Sequence, residues 1–315
     1  MSIVIHCVTA RGRPPSRHRR LAVGGAVIAT ADEELEARIV RTADLLRGHR
    51  IALLTGAGIS TDSGIPAYRG EGARTRSNPM TIDRYLGDEA ARRRYWVGGH
   101  LGWRAFASAE PNAGHRALAG MEADGFVSGV ITQNVDGLHL RAGSSHVIEV
   151  HGTMRRVFCL HCGQVFDRRD IAAQIEESNP WITVPENVRL APDGDVLPES
   201  TDGFVTPVCT VCGGMLKPDV VFFGEYVPQD RFRAAESLLR ASTAMIVAGS
   251  SLVVNSGVRL VERARRRGIP LVIVNHEPTR ADAWADLTLA AGTSEVLPAL
   301  HALLGAASNE RTPTT

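Results

Sequence analysis

Two tight cysteine pairs, Cys159-Leu-His-Cys162 and Cys209-Thr-Val-Cys212, can present four thiolates to one metal ion. Four soft sulfurs complete a tetrahedral zinc shell and leave no position for a substrate. The zinc is therefore expected to be structural, and the chemistry to lie elsewhere. A thioredoxin-like redox motif explains one CxxC but not two; buried thiols are the other alternative. Gly56-Ala57-Gly58 follows an apolar run, as a phosphate-binding turn would. A full dinucleotide fingerprint wants a third glycine where Thr61 stands, so a bare tight turn stays open. Asn134, Asp136 and His151 close or follow other short apolar runs. A histidine so placed is either a satisfied structural residue or a general base.

Those apolar runs are the elements that must hold the reactive groups. Residues 51–55, 127–132, 147–150, 244–248 and 270–274 read as short buried strands, each followed by glycine or a polar side chain. Helical spacing begins near Asp32, recurs over 112–124 and 258–267, and is present in pieces over 82–106. Strands alternating with helices predict an α/β fold, a Rossmann-like doubly wound parallel sheet whose ligands lie at the C-terminal strand ends. Residues 59–76 read as a loop rich in glycine, serine and arginine. The stretch between the cysteine pairs is broken by prolines and reads mostly as loop. The expected organisation is a flexible arm over 1–30, the Rossmann-like domain over 31–156 and 217–305 with a helical insertion at about 77–110, a small zinc domain over 157–216, and a disordered tail over 306–315.

Composition narrows the function. A hydrophobic share of 44% and a charged share of 22% are those of a globular chain with a sizeable core. A net charge of +1 provides no general field toward nucleic acid or anionic lipid, and no apolar run reaches the length of a bilayer span. Neither nucleic acid nor membrane is expected as a partner. Cysteines arranged as metal ligands suit a reducing, cytoplasmic setting. Cys7 is expected to be an incidental thiol. Lys217 is the only lysine; every other basic side chain, histidine aside, is arginine.

In their order along the chain the motifs resemble the sirtuin family of NAD-dependent protein deacylases. The resemblance rests on Gly56-Ala-Gly-Ile-Ser60, Gly64-Ile-Pro-Ala-Tyr-Arg-Gly70, Thr132-Gln-Asn-Val-Asp-Gly-Leu-His139, His151-Gly152, both cysteine pairs, Lys217-Pro-Asp-Val-Val-Phe-Phe-Gly-Glu225, Gly249-Ser-Ser-Leu252 and Val274-Asn275. Asn78-Pro-Met-Thr81, Arg93-Arg-Tyr-Trp96, Pro111-Asn-Ala-Gly-His115 and Pro278-Thr-Arg-Ala-Asp282 are similar to the class II branch, the sirtuin-4-like type. The desuccinylase branch reads acidic acyl groups with a Tyr-x-x-Arg pair. Here that stretch is Tyr95-Trp-Val-Gly98, without the arginine.

The resemblance implies NAD as co-substrate, one structural zinc held by Cys159, Cys162, Cys209 and Cys212, and an acyl-lysine protein or peptide as partner. It implies that Gly56, Ala57 and Gly58 approach the pyrophosphate. Ile65, Tyr68 and Arg69 would contact the cofactor, the last two over the nicotinamide ribose. Gln133 and Asn134 would hold the ribose, Asn134 with a catalytic part, and Asp136 the carboxamide. Gly249, Ser250 and Ser251 would meet the phosphate and adenosine side, Asn275 the adenine ribose and Thr293 the adenine. Val221, Phe222, Phe223, Gly224 and Glu225 would pair with the substrate peptide as an added strand. The implied reaction begins with the acyl-lysine oxygen attacking the ribose C1′ and expelling nicotinamide. His151 then acts as general base on the ribose hydroxyls, giving free lysine and 2′-O-acyl-ADP-ribose. One position departs from the pattern: Ala67 replaces an aspartate beside the reacting ribose. That departure leaves two alternatives, mono-ADP-ribosyl transfer to a protein and non-catalytic binding of NAD or ADP-ribose.

Overall fold

The computed structural model describes residues 31–69, 79–184 and 189–309; the expected arm, most of the expected tail and Cys7 lie outside them. In chain order the elements are α1 (Ala31–Leu46), β1 (Ile51–Thr55), a 3₁₀ segment (Ala57–Ser63), α2 (Ile82–Gly87), α3 (Glu89–Ser108), α4 (Ala113–Ala123), β2 (Val127–Thr132), α5 (Leu138–Arg141) and β3 (Val147–Glu149). They continue with β4 (Gly152–Cys159), β5 (Val165–Asp167), α6 (Arg168–Ser178), β6 (Leu216–Val220), α7 (Gln229–Ala241), β7 (Ala244–Ala248), α8 (Asn255–Arg266), β8 (Leu271–Val274), β9 (Leu287–Leu289) and α9 (Thr293–Asn309).

Strands that are largely apolar on both faces must be covered twice, and this sheet is. Six strands run in the order β3-β2-β1-β7-β8-β9, every pairing parallel. Ile51 and Leu53 of β1 pack with Ile39 and Leu46 of α1, Leu118 of α4 and Leu297 and Leu300 of α9. Ala52 and Leu54, alternate residues on the same strand, pack with Leu238 of α7 and Leu260 and Val261 of α8 on the other face. Each fully buried leucine or isoleucine contributes about 2 kcal/mol.

A second sheet, antiparallel in the order β5-β4-β6, carries the cysteine pairs at its end. A third core joins it to α2 and α3 through Tyr85, Tyr95, Trp96, Ile171, Ile175 and Phe222. Arg168 of α6 is fully buried in this join, its guanidinium 5.0 Å from the Trp96 ring centre and 5.5 Å from that of Trp103. The stretch between the cysteine pairs is mostly loop, as expected, but β5 and α6 occupy its first part, with Asp167 capping α6 through a 2.8 Å bond from the Arg169 amide. The expected loop at 59–76 likewise begins as the 3₁₀ segment, and residues 70–78 lie outside the described residues. The helix expected over 258–267 starts earlier, at Asn255, and α9 reaches Asn309.

The chain leaves β1 toward β2 and β3 on one side and returns on the other at β7, which makes the β1–β7 boundary the topological switch point. There the two strand ends are tied backbone to backbone. The Gly56 amide donates to Ala248 O at 3.2 Å and the Gly58 amide to Gly249 O at 2.8 Å. A Cβ on Gly58 would lie 2.9 Å from Gly249 O. Gly249 has φ +64°, and a Cβ there would run into the Ile59 amide. Gly249→Ala should therefore combine a left-handed strain with a backbone clash and lower stability by about 2–4 kcal/mol. A urea midpoint equal to that of the parent protein would contradict this packing.

Candidate active site

One cavity of about 1510 Å³ opens at the switch point and extends along the cleft between the large sheet and the zinc-bearing sheet. Every residue that the sequence assigned to NAD or to the substrate lines it, from Gly56 to Thr293. The strand ends bring them together: β1 delivers Gly56–Gly58, β2 delivers Gln133, Asn134 and Asp136, β3 leads to His151, β7 to Gly249–Ser251, and β8 to Asn275.

His151 is held from both ring nitrogens. Nδ1 donates to the Gln133 carbonyl oxygen at 3.0 Å. That bond fixes the tautomer and leaves Nε2 as the acceptor, 2.8 Å from the hydroxyl of Ser256 on the first turn of α8. Burial pushes the imidazole pKa below its ordinary value, more than the Gln133 carbonyl raises it. The result is a neutral imidazole with its lone pair in the cavity, the form a general base needs. Gln133 is fixed in turn by the Ser250 hydroxyl, which donates to Oε1 at 2.7 Å.

Ser60, fully buried, links the next two polar groups. Its hydroxyl donates to Asp136 Oδ2 at 2.8 Å and accepts from Asn134 Nδ2 at 3.0 Å. The Leu138 amide donates to Asp136 Oδ1 at 2.9 Å. Burial raises the Asp136 pKa, and the hydrogen bonds from Leu138 and Ser60 oppose the rise. Below this row, His139 Nε2 meets the Thr55 hydroxyl at 2.9 Å, and the His115 ring lies 4.8 Å from the His139 ring. Asn112 caps α4 and donates to Ile59 O at 2.7 Å, which secures the 3₁₀ segment.

Two backbone stretches of the site are bonded within the chain. The amides of Gly56, Gly58 and Ile59 are bonded within the chain, and Gly58 packs directly against Gly249. The 221–225 stretch is also internally bonded. Val221 donates to His151 O, Phe223 to Met80 O, Glu225 to Phe222 O, and Phe222 to the Glu225 carboxylate at 2.9 Å. The Phe223 carbonyl accepts from Ile82. Glu225 is a strut: its carboxylate lies 3.0 Å from the ammonium of Lys217, only 1% exposed, which also donates to Val220 O at 2.6 Å. Phe222 is buried against Tyr85 and Tyr95, while Phe223 faces Tyr68 edge-on at 6.0 Å.

The sequence reading missed Ser256, although it sits in the glycine-serine stretch after β7, and it missed Pro192 and Asp193, which line the cavity from the zinc side. Their signal was the spacing Gly98-Gly99-His-Leu-Gly102 on α3. Loop 191–196 lies in that notch, with the Val196 amide donating to Gly98 O at 3.2 Å. A Cβ at Gly98 would collide with Asp195 and Val196, so no arginine fits at the position where the desuccinylase pair has one.

The four cysteine sulfurs lie within 4.8 Å of one another, and contacts of 3.5 Å (Cys159–Cys212) and 3.7 Å (Cys162–Cys209) join the two pairs. Tetrahedral zinc with bonds of about 2.3 Å separates its sulfurs by about 3.8 Å, so the cage fits a structural zinc ion. It stands at the end of the small sheet, apart from the cavity lining.

A sequence model of the Sir2 family matches residues 56–256, and the chain belongs to that family. It is 51% identical over 260 residues to NAD-dependent protein deacetylase 1 of Mycobacterium avium (strain 104), covering 81% of this chain and 92% of the relative. It is 42% identical over 255 residues to the NAD-dependent protein lipoamidase sirtuin-4, mitochondrial, of Bos taurus, covering 79% and 81%. A solved structure of Sir2 with p53 peptide and NAD+ is similar with a TM-score of 0.70 at 34% identity, covering 84% of this chain and 98% of that one.

Two measurements check the site's construction. Chelating the zinc, or Cys159→Ser, should unfold the small domain; an unchanged melting profile with metal still bound would contradict a structural ion. Burial holds His100, His115, His139 and His151 below their ordinary pKa, His115 at about 4. The unfolded chain binds these protons first, so stability drops as pH falls from about 6.5 toward 4. His115 alone accounts for about 3 kcal/mol of that loss. In urea titrations His115→Gln should have a correspondingly shallower pH profile than the parent.

Proposed function

We propose that this protein removes acyl groups from lysine side chains of proteins, with NAD as co-substrate. The observation that carries the reading is the neutral His151, fixed by Gln133 with its acceptor nitrogen on the Ser256 hydroxyl in a cavity lined by the NAD motifs of the family. The chain is an NAD-dependent deacylase of the sirtuin type, supported by the identities above and by the peptide and NAD in the related Sir2 structure. Bound NAD supplies the electrophilic ribose carbon and nicotinamide as leaving group.

The chain's residues do the rest by position. Asp136, oriented by Ser60 and Leu138, offers its carboxylate to the nicotinamide amide. Asn134, anchored to Ser60, orients the ribose. His151 Nε2 takes the proton of a ribose hydroxyl, and that hydroxyl displaces Ser256 from the nitrogen. Phe222 and Phe223 wall the lysine channel, and Lys217 with Glu225 holds that wall in place. We assign the reaction to the cytoplasm, because the metal-ligand cysteines need a reducing compartment. Among the described residues, no helix is long and apolar enough to cross a membrane.

A second reading, transfer of ADP-ribose to a protein nucleophile, draws on Ala67. It lines the cavity where the family pattern has a carboxylate. Nicotinamide release, followed by mass spectrometry with NAD and an acetyl-lysine peptide, separates the two. Peptide-dependent release with matching O-acyl-ADP-ribose supports deacylation, and His151→Ala should reduce acyl transfer about a hundredfold to ten-thousandfold. Release without peptide, with ADP-ribose carried on protein, would replace this conclusion by the second reading.

A further inference from the structure

The cavity continues past His151 and Ser256. It runs outward between α7 and α8, where Phe232, Arg233, Glu236, Arg259 and Arg263 bound it. Phe232 lies beneath two guanidinium groups, Arg259 at 4.6 Å and Arg263 at 5.2 Å from its ring centre. Three acidic groups nearby are engaged, while Asp230 and Glu277 are in no ion pair among the described residues. Glu236 is paired with Arg263, Glu225 with Lys217, and Glu262 with Arg266. Arg233 and Arg259 are exposed, and their observed partners are neutral: the Gln229 side chain for one, the Phe232 ring for the other. On the adjoining rim the exposed Arg280 donates to the Val253 carbonyl at 3.0 Å.

The cavity lining also carries exposed apolar side chains: Tyr226, at 93%, Val253 and Val254. A chain with a net charge of only +1 thus presents three guanidinium groups, Arg233, Arg259 and Arg280, in no ion pair among the described residues, against two such carboxylates at this end of its cleft. Fixed like charges beside a low-dielectric lip raise the local concentration of an oppositely charged partner.

We propose that this rim selects protein segments that carry aspartate or glutamate close to the acyl-lysine, the carboxylates meeting Arg233 and Arg259 while the lysine enters toward His151. The proposal rests on the deacylase reading for the position of the lysine, and its test is a binding measurement that does not need turnover. Fluorescence anisotropy would compare three labelled acetyl-lysine peptides of equal length, with acidic, neutral or basic flanks. The acidic peptide should bind about tenfold more tightly than the basic one, with the neutral peptide between them. The spread should collapse in about 1 M salt, where the Debye length falls to about 3 Å. In the double variant R233E/R259E the order should invert.

Equal affinities for the three peptides, or a spread that survives both salt and charge reversal, would overturn the proposal. The salt series on the parent protein decides the matter even if the double variant does not fold. Acidic preference without nicotinamide release would sustain the rim's role and remove the deacylase reading. Nicotinamide release with equal affinities would do the reverse.

Discussion

The backbone contact between Gly58 and Gly249 is the constraint on which the rest of the site depends. It joins the ends of β1 and β7 where the sheet reverses its direction of growth, and it tolerates no side chain on either partner. Because β1 also pairs with β2 in register through Thr55 and Thr132, the same contact fixes where Gln133 emerges. Gln133 then sets the tautomer of His151 through its carbonyl and reaches Ser250 with its side chain. A shift of one strand end would misplace the base and its surroundings together, since they share the same anchors.

A second support comes from the other side of the cleft. The zinc-bearing sheet is tied to the large domain through β4 and β6, whose residues run directly into His151 and into the 221–225 wall. The Lys217–Glu225 pair is buried on the lysine side, and an ion pair of this kind fixes geometry more than it adds stability. The metal cage, the buried pair and the aromatic wall form one chain of positioning from Cys159 to Phe223. The zinc matters to the site through that chain and not through any bond to substrate.

The parts of this design that were legible in the sequence are those specified locally. β1, β2 and β7 were readable to the residue, because each is a short apolar run that stops at glycine or a polar group. The cysteine cage followed from spacing alone. What escaped depends on distant partners. The 3₁₀ segment reads as loop, since its support is the Asn112 side chain from another element. α9 contains Pro298 and Gly305, which local propensity counts as breakers, while packing of Val296, Leu297 and Leu300 on the sheet outweighs both. Ser256 carries no motif of its own, and only the approach of α8 to His151 gives its hydroxyl a part in the site. The hydrogen bonds that tie the 221–225 stretch to Met80, Ile82 and the Glu225 side chain are likewise not visible in sequence.

Lys217 has one more consequence. It is the sole ε-amine in the chain, and it is enclosed between a carboxylate and two aromatic rings, Phe158 at 5.3 Å and Phe222 at 4.6 Å. Every other long cation is a guanidinium, which does not form the stable amides that amines form with thioesters and mixed anhydrides. The protein therefore presents no exposed lysine to the reactive metabolites that acylate lysines by chance. Such an enzyme offers no exposed copy of its own substrate to its own cleft.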